Sequence, residues 1–203
     1  MPLRDHFRPP LDDFTSWEGM YGGWPAVMVQ HLNKVLPPEY AAAPRVHLGS
    51  PVESDDPDEY EVRVYDAHRG RRLVAAVELI SPANKDRPEH RRIFVARCAA
   101  LLQQRVSVVL VDIVTVRQLN LYAELLGLLG VTDPGLGETP SALYAGCCRR
   151  RPGNGVGRLE TWYQPLQVGR PLPTLPLWLS DEFAVPLALE ESYEQTCRDL
   201  RLP

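Results

Sequence analysis

The spacing of apolar and polar positions changes period several times along the chain, and each change marks a predicted element. From Trp24 to Leu36, the positions Val27, Met28, His31, Leu32 and Val35 recur at helical spacing. Pro25 suits the first turn of that helix, and Pro37-Pro38 ends it. Arg45-Val-His-Leu is a short strand candidate. Over 59–66 the period falls to two, with Val62 and Val64 on one face and Glu61, Arg63 and Tyr65 on the other. Arg69-Gly70 supplies a turn and 71–80 a second strand, so 59–80 reads as a β-hairpin. Helical spacing returns over 90–104, where Ile93, Phe94, Cys98, Leu101 and Leu102 form one stripe. Residues 106–114 are almost continuously apolar, which predicts a buried strand. The helix before it is a crossover, so this strand is expected to run parallel to 71–80. A second apolar helix follows at 119–129, then strands at 142–150 and 156–164 joined by Pro-Gly-Asn-Gly, and a last helix at 186–200. The 20 prolines crowd into 1–57 and 165–186, which predicts irregular connections and a wrapping C-terminal segment.

Strand 71–80 carries the strongest chemical signal. Leu73, Ala75, Val77 and Leu79 share one face, and Val74, Ala76, Glu78 and Ile80 the other, so both faces are apolar except at Glu78. A carboxylate there is costly unless a metal, a cation or hydrogen-bond donors meet it. The strand stops at Ser81-Pro82, and Ala83-Asn84-Lys85 follows. Glu78 is therefore a candidate active-site residue, with Lys85 following just beyond the strand. The plainer reading pairs Glu78 with Lys85, Arg72 or an arginine of helix 90–104, and makes Ser81 to Lys85 a turn that caps the strand. Asp112, inside the run 106–114, needs a partner too, and an arginine of the preceding helix is the expected one.

With a net charge of −4, any contact with nucleic acid must rest on a local basic patch. Lys85, Arg87, Arg91, Arg92 and Arg97, with Arg69, Arg71 and Arg72 on the hairpin turn, could meet phosphates. Solvent exposure accounts for Arg149-Arg150-Arg151 at a hairpin end. No run of 18 apolar residues predicts a membrane span, and the first residues lack the apolar segment of a signal peptide, so cytoplasm is the expected location. Cys98, Cys147, Cys148 and Cys197 show no metal-ligand spacing and read as reduced, structural thiols; Cys147 and Cys148 should point to opposite faces of a strand. Neither a Gly-x-Ser-x-Gly elbow nor a phosphate-cradling glycine loop is present.

Three stretches carry a family resemblance. Leu73 to Lys85 with the following Arg-Pro-Glu-His-Arg-Arg, Leu-Leu-Gln-Gln-Arg-Val-Ser-Val-Val-Leu-Val-Asp at 101–112, and Pro-Leu-Pro-Thr-Leu-Pro-Leu-Trp-Leu at 171–179 resemble the bacterial domain of unknown function family 4058 over nearly the whole chain. The order α-β-β-β-α-β over 24–114, with a glutamate late in the third strand before Ser-Pro, is similar to the PD-(D/E)XK nuclease fold, and to its Uma-two group of restriction-endonuclease-like proteins. The expected architecture is then an α/β domain spanning 1–203. A restriction-endonuclease-like core (24–114) would be extended by a hairpin and a proline-rich wrap (115–203), with a homodimer as one possible assembly. The resemblance implies Mg²⁺ held by Glu78 and a strand-two acid, for which Glu53, Asp55, Asp56 and Asp58 are candidates, Asp55 first, and Asp66 the fallback. Hard carboxylate oxygens suit that ion, which would stabilise charge on a phosphate. The family's lysine, two residues after its glutamate, is replaced by Ile80, leaving Lys85, Arg91 or Arg97 to stand in. Ser81, Asn84, Arg91 and Arg97 would contact substrate phosphate. Two functions follow: a metal-dependent nuclease acting on nucleic acid, or a non-catalytic binding module on the same scaffold.

Overall fold

A computed structural model describes residues 2–47, 59–152 and 157–203. Its centre is a six-stranded mixed sheet in the order β1-β2-β3-β4-β5-β6, formed by Tyr40–His47, Glu59–Asp66, Arg72–Leu79, Ser107–Asp112, Tyr144–Arg151 and Arg158–Pro165. Only β3 and β4 run parallel. The helix between them supplies the crossover that parallel neighbours require. The α/β class and the parallel pair agree with the hydrophobic pattern.

Helices α1 (Leu11–Phe14) and α2 (Trp17–Val35) precede the sheet. Helix α2 starts seven residues before the expected start at Trp24, with the Ser16 hydroxyl accepting from the Glu18 N–H. Pro25 therefore sits inside the helix instead of in its first turn. Packing outweighs its missing N–H: Met20, Tyr21, Trp24, Met28 and Leu32 are buried against one sheet face. On that same face lie α6 (Leu189–Asp199) and a separate two-stranded sheet, β7 (Thr174–Trp178) with β8 (Ala184–Ala188). The proline-rich stretch thus contains strands as well as the expected wrap.

Helices α4 (Pro88–Gln103) and α5 (Leu121–Leu128) cover the opposite face, and a short α3 (Pro82–Asp86) leads into α4. Each strand sorts its residues by parity between two apolar layers: Val109 and Val111 to the first, Val108 and Leu110 to the second. Cys147 and Cys148 divide in the same way, and all four thiols are free and buried. The N-terminal arm joins the first layer, Leu3 exchanging backbone bonds of 2.8 Å with Gly169 and Arg170. Among the described residues no helix is long and apolar enough to cross a membrane.

Gly146 on β5 shows how tight the second layer is. A Cβ there would lie 2.7 Å from the ring of buried Tyr122, whose hydroxyl donates to Asp133. Gly146→Ala is expected to cost about 1–3 kcal/mol by overpacking. Urea unfolding tests this, and an unchanged midpoint would show that the ring moves freely.

Candidate functional site

Glu78 is placed by the register of three strands. Arg45 of β1 lies opposite Glu61 of β2, and Glu61 lies opposite Glu78 of β3. Two carboxylates facing each other across a ladder repel, and both are buried. Arginines resolve the conflict. Arg45 Nη1 lies 2.9 Å from Glu61 Oε1, and Arg63 Nε donates to Glu61 Oε2. Arg97, reaching down from α4, donates to Glu78 Oε2 at 2.8 Å and also bonds Glu59. Glu59 is held from its other side by Arg45 at 3.1 Å. Three carboxylates and three guanidiniums therefore form one neutral lattice across β1, β2, β3 and α4.

Burial pushes the Glu78 carboxyl up to about 7; Glu61 and Glu59 add to the rise and Arg97 opposes it. Its Oε1 is buried without a hydrogen-bond partner. Glu59 Oε2 is also buried without a hydrogen bond, though it lies 3.1 Å from Arg45, and these two oxygens are poor provision for Mg²⁺, which seeks six at about 2.0–2.1 Å. Both Glu61 oxygens and both Glu59 oxygens already face guanidinium groups. Among the described residues no group of three or more His, Cys, Asp or Glu side chains is arranged to hold a metal ion. The described donor set does not fit the cation that the nuclease resemblance implies. Asp55, with Glu53, Asp56 and Asp58, lies outside the described residues. Asp66 is spent at the far end of the hairpin, where Oδ1 accepts from the N–H groups of His68 and Arg69.

Lys85 does not join Glu78. Its Nζ lies 2.7 Å from Asp112 Oδ2, with both side chains fully buried, and it donates to the carbonyls of Arg117 and Ala142. The partner of Asp112 is thus this lysine and not an arginine of the preceding helix. Lysine reaches it because α3 turns the chain back over the end of β4. Burial pushes the Asp112 carboxyl up to about 7 against the pull of Lys85. Tyr21 closes the neighbouring strand end by donating to the Ile80 carbonyl at 2.9 Å.

Ser81 and Asn84 are buried and bonded to each other rather than presented to a phosphate. The Asn84 Oδ1 accepts from the Ser81 N–H at 2.8 Å and from its hydroxyl at 3.2 Å, forming a capping box for α3. Arg91 meets Glu124 of α5 at 3.3 Å. Of the expected site residues that are described, Glu78 touches Arg97 as an ion pair and Ser81 touches Asn84 within the cap, while Lys85 and Arg91 bond residues elsewhere. Glu59, Glu61, Arg45 and Arg63 complete the site without having been singled out from the sequence. Comparison with family models, with curated proteins and with solved structures returns no match.

Proposed function

We propose that the chain is a non-catalytic binding module on a restriction-endonuclease-like scaffold. Support for the scaffold comes from the order α2-β1-β2-β3-α4-β4, with an antiparallel meander ending in a parallel pair. One observation carries the non-catalytic reading. Among the described residues, the strand acids Glu59, Glu61 and Glu78 are each neutralised by an arginine, and the lysine is buried on another carboxylate. A hydrolase of this type needs carboxylates left open for a cation and a group that orients water. Here the same positions hold the sheet to α4.

Calorimetric titration with Mg²⁺ and Mn²⁺, alongside incubation with plasmid DNA and with RNA, tests the reading. Neither saturable binding nor cleavage is expected, and Glu78→Gln should behave as the parent does. Saturable Mg²⁺ binding that Glu78→Gln abolishes would return the chain to the nucleases.

A further inference from the structure

The charge of this chain is unevenly distributed, and the sheet topology concentrates its arginines at one end. Because β3 and β4 are parallel, the β2–β3 turn, the α4–β4 turn, the end of β5 and the start of β6 all lie at the end where β3 and β4 begin. Arg69 and Arg71 belong to the first turn and Arg72 opens β3, Arg105 belongs to the second turn, and Arg149, Arg150 and Arg151 end β5 while Arg158 opens β6. Ser107 is level with Ala75 on β3, Val108 with Cys148 on β5, and Arg151 with Arg158, which places these residues along one rim. Eight arginines stand there against the five carboxylates of Glu39, Asp66, Glu160, Asp181 and Glu182, a surplus of three positive charges in a chain of net −4.

The acids do little to silence this rim. Arg149 is consumed by Glu160 at 2.6 Å and lies over the Trp178 ring. Asp66 spends one oxygen on turn backbone, and Arg151 reaches Glu160 only at 3.7 Å. Arg72, Arg105 and Arg158 are exposed and make no ion pair among the described residues. Two donors at this end, Arg150 Nε and Trp178 Nε1, are buried with no acceptor, and an unpaired buried donor is a natural place for an ion or ligand oxygen. Arg71 and Arg105 also hold positive φ angles of 57° and 62°, a conformation that favours glycine. Arginine stands at both turns despite that preference.

We propose that this rim binds the phosphate backbone of duplex nucleic acid without reading its sequence. Adjacent strands are about 4.8 Å apart, so the row from β3 to β6 spans roughly 14 Å. Along a duplex strand that length covers about four phosphates. All eight cations are arginines, whose planar forks match phosphate oxygens. A single-strand site would need a series of aromatic rings open for base stacking, and here Trp162 and Trp178 are partly buried and stacked with Arg149, while Phe183 beside Glu182 is an isolated exposed ring. The rim is also remote from Glu78, which lies six residues, or about 20 Å, further along β3 than Arg72.

Fluorescence anisotropy with a labelled mixed-sequence DNA duplex, over a range of salt concentrations, is the test. Binding should weaken linearly in log–log form, and the triple variant R72Q/R105Q/R158Q should flatten that slope by roughly 0.9 for each arginine that met a phosphate. Its affinity at low salt should fall roughly tenfold or more. Arg105→Gly should also weaken binding while keeping or raising the melting temperature, because glycine suits the turn. A duplex that does not bind at low salt, or binds the triple variant equally well, overturns the proposal. Preference for polyglutamate over the duplex overturns it too, in favour of an acidic protein partner. The rim gives the proposed binding module its ligand, yet the two readings fail separately: Mg²⁺ binding lost in Glu78→Gln removes the first alone, and duplex binding indifferent to these arginines removes the second alone.

Discussion

Lys85→Met is expected to destabilise the protein by about 3–5 kcal/mol, the usual result of leaving one member of a buried ion pair alone. The same pair on the surface would be worth about 0–1 kcal/mol. Burial decides between the two figures, and here both side chains are fully covered. Three groups lose their partner at once: Asp112 Oδ2 and the carbonyls of Arg117 and Ala142. The double variant K85M/D112L removes the carboxylate as well and should recover most of the loss, since apolar replacements of similar volume are often neutral. Chemical unfolding of the parent, the two single variants and the double variant measures this. Were the double variant as unstable as K85M, the loss would come from packing of the lysine stem and the two carbonyls, not from the stranded carboxylate.

Local signals made much of the fold legible. Period-two spacing and the Arg69-Gly70 turn located β2 and β3, Pro-Gly-Asn-Gly located the β5–β6 hairpin, and the apolar run located β4. Elements whose signal is not local escaped. Gly19, Gly22 and Gly23 dilute the helical pattern of α2 before Trp24, and tertiary burial of Met20 and Tyr21 holds that turn in place. Pro176 and Pro186 mask β7 and β8; they face each other in a two-stranded sheet, where each proline is on an edge and no inner ladder bond is lost.

The site was legible at Glu78 and at Arg97, an arginine of the helix 90–104 offered as its partner, but not at the second acid, and the reason is a single bulge. Next to the turn, Asp66 pairs with Arg72 and Tyr65 with Leu73, but Val64 pairs with Ala75, so Val74 is skipped. Counting without that bulge places Glu61 opposite Val77, with its side chain beside an apolar neighbour. With the bulge it faces Glu78. A one-residue irregularity therefore determines whether Glu78 has a second acid beside it, and composition and spacing carry no trace of it. The Lys85–Asp112 pair is hidden for a related reason, since it depends on how α3 folds back, which no periodicity reports.

Arg97→Ala should cost about 3–5 kcal/mol above neutral pH, and distinctly less at pH 5. Among the described residues Arg97 is the only guanidinium bonded to Glu78, and it also holds Glu59. The pH dependence follows from the Glu78 carboxyl. Its folded value of about 7 lies above the ordinary 4.5, so the folded state holds the proton more tightly than the unfolded chain does. Stability from this group is complete below about 4.5 and is lost as pH rises through about 7. Without Arg97 the opposing pull disappears, the carboxyl rises further, and the loss extends to higher pH. At pH 5 Glu78 is already protonated, so removing its cation leaves a neutral group that needs only a hydrogen bond. Asp112 has the same sign of dependence between 3.8 and about 7, but its cation is Lys85. Its contribution should be identical in parent and variant and should cancel in the difference. Urea midpoints for the parent and R97A at pH 5 and pH 8, with R97A/E78Q as the control lacking the ionisable group, separate these effects. A penalty equal at the two pH values would mean that Arg97 acts through Glu59 and packing alone, and that Glu78 is not the charge the lattice was built to hold.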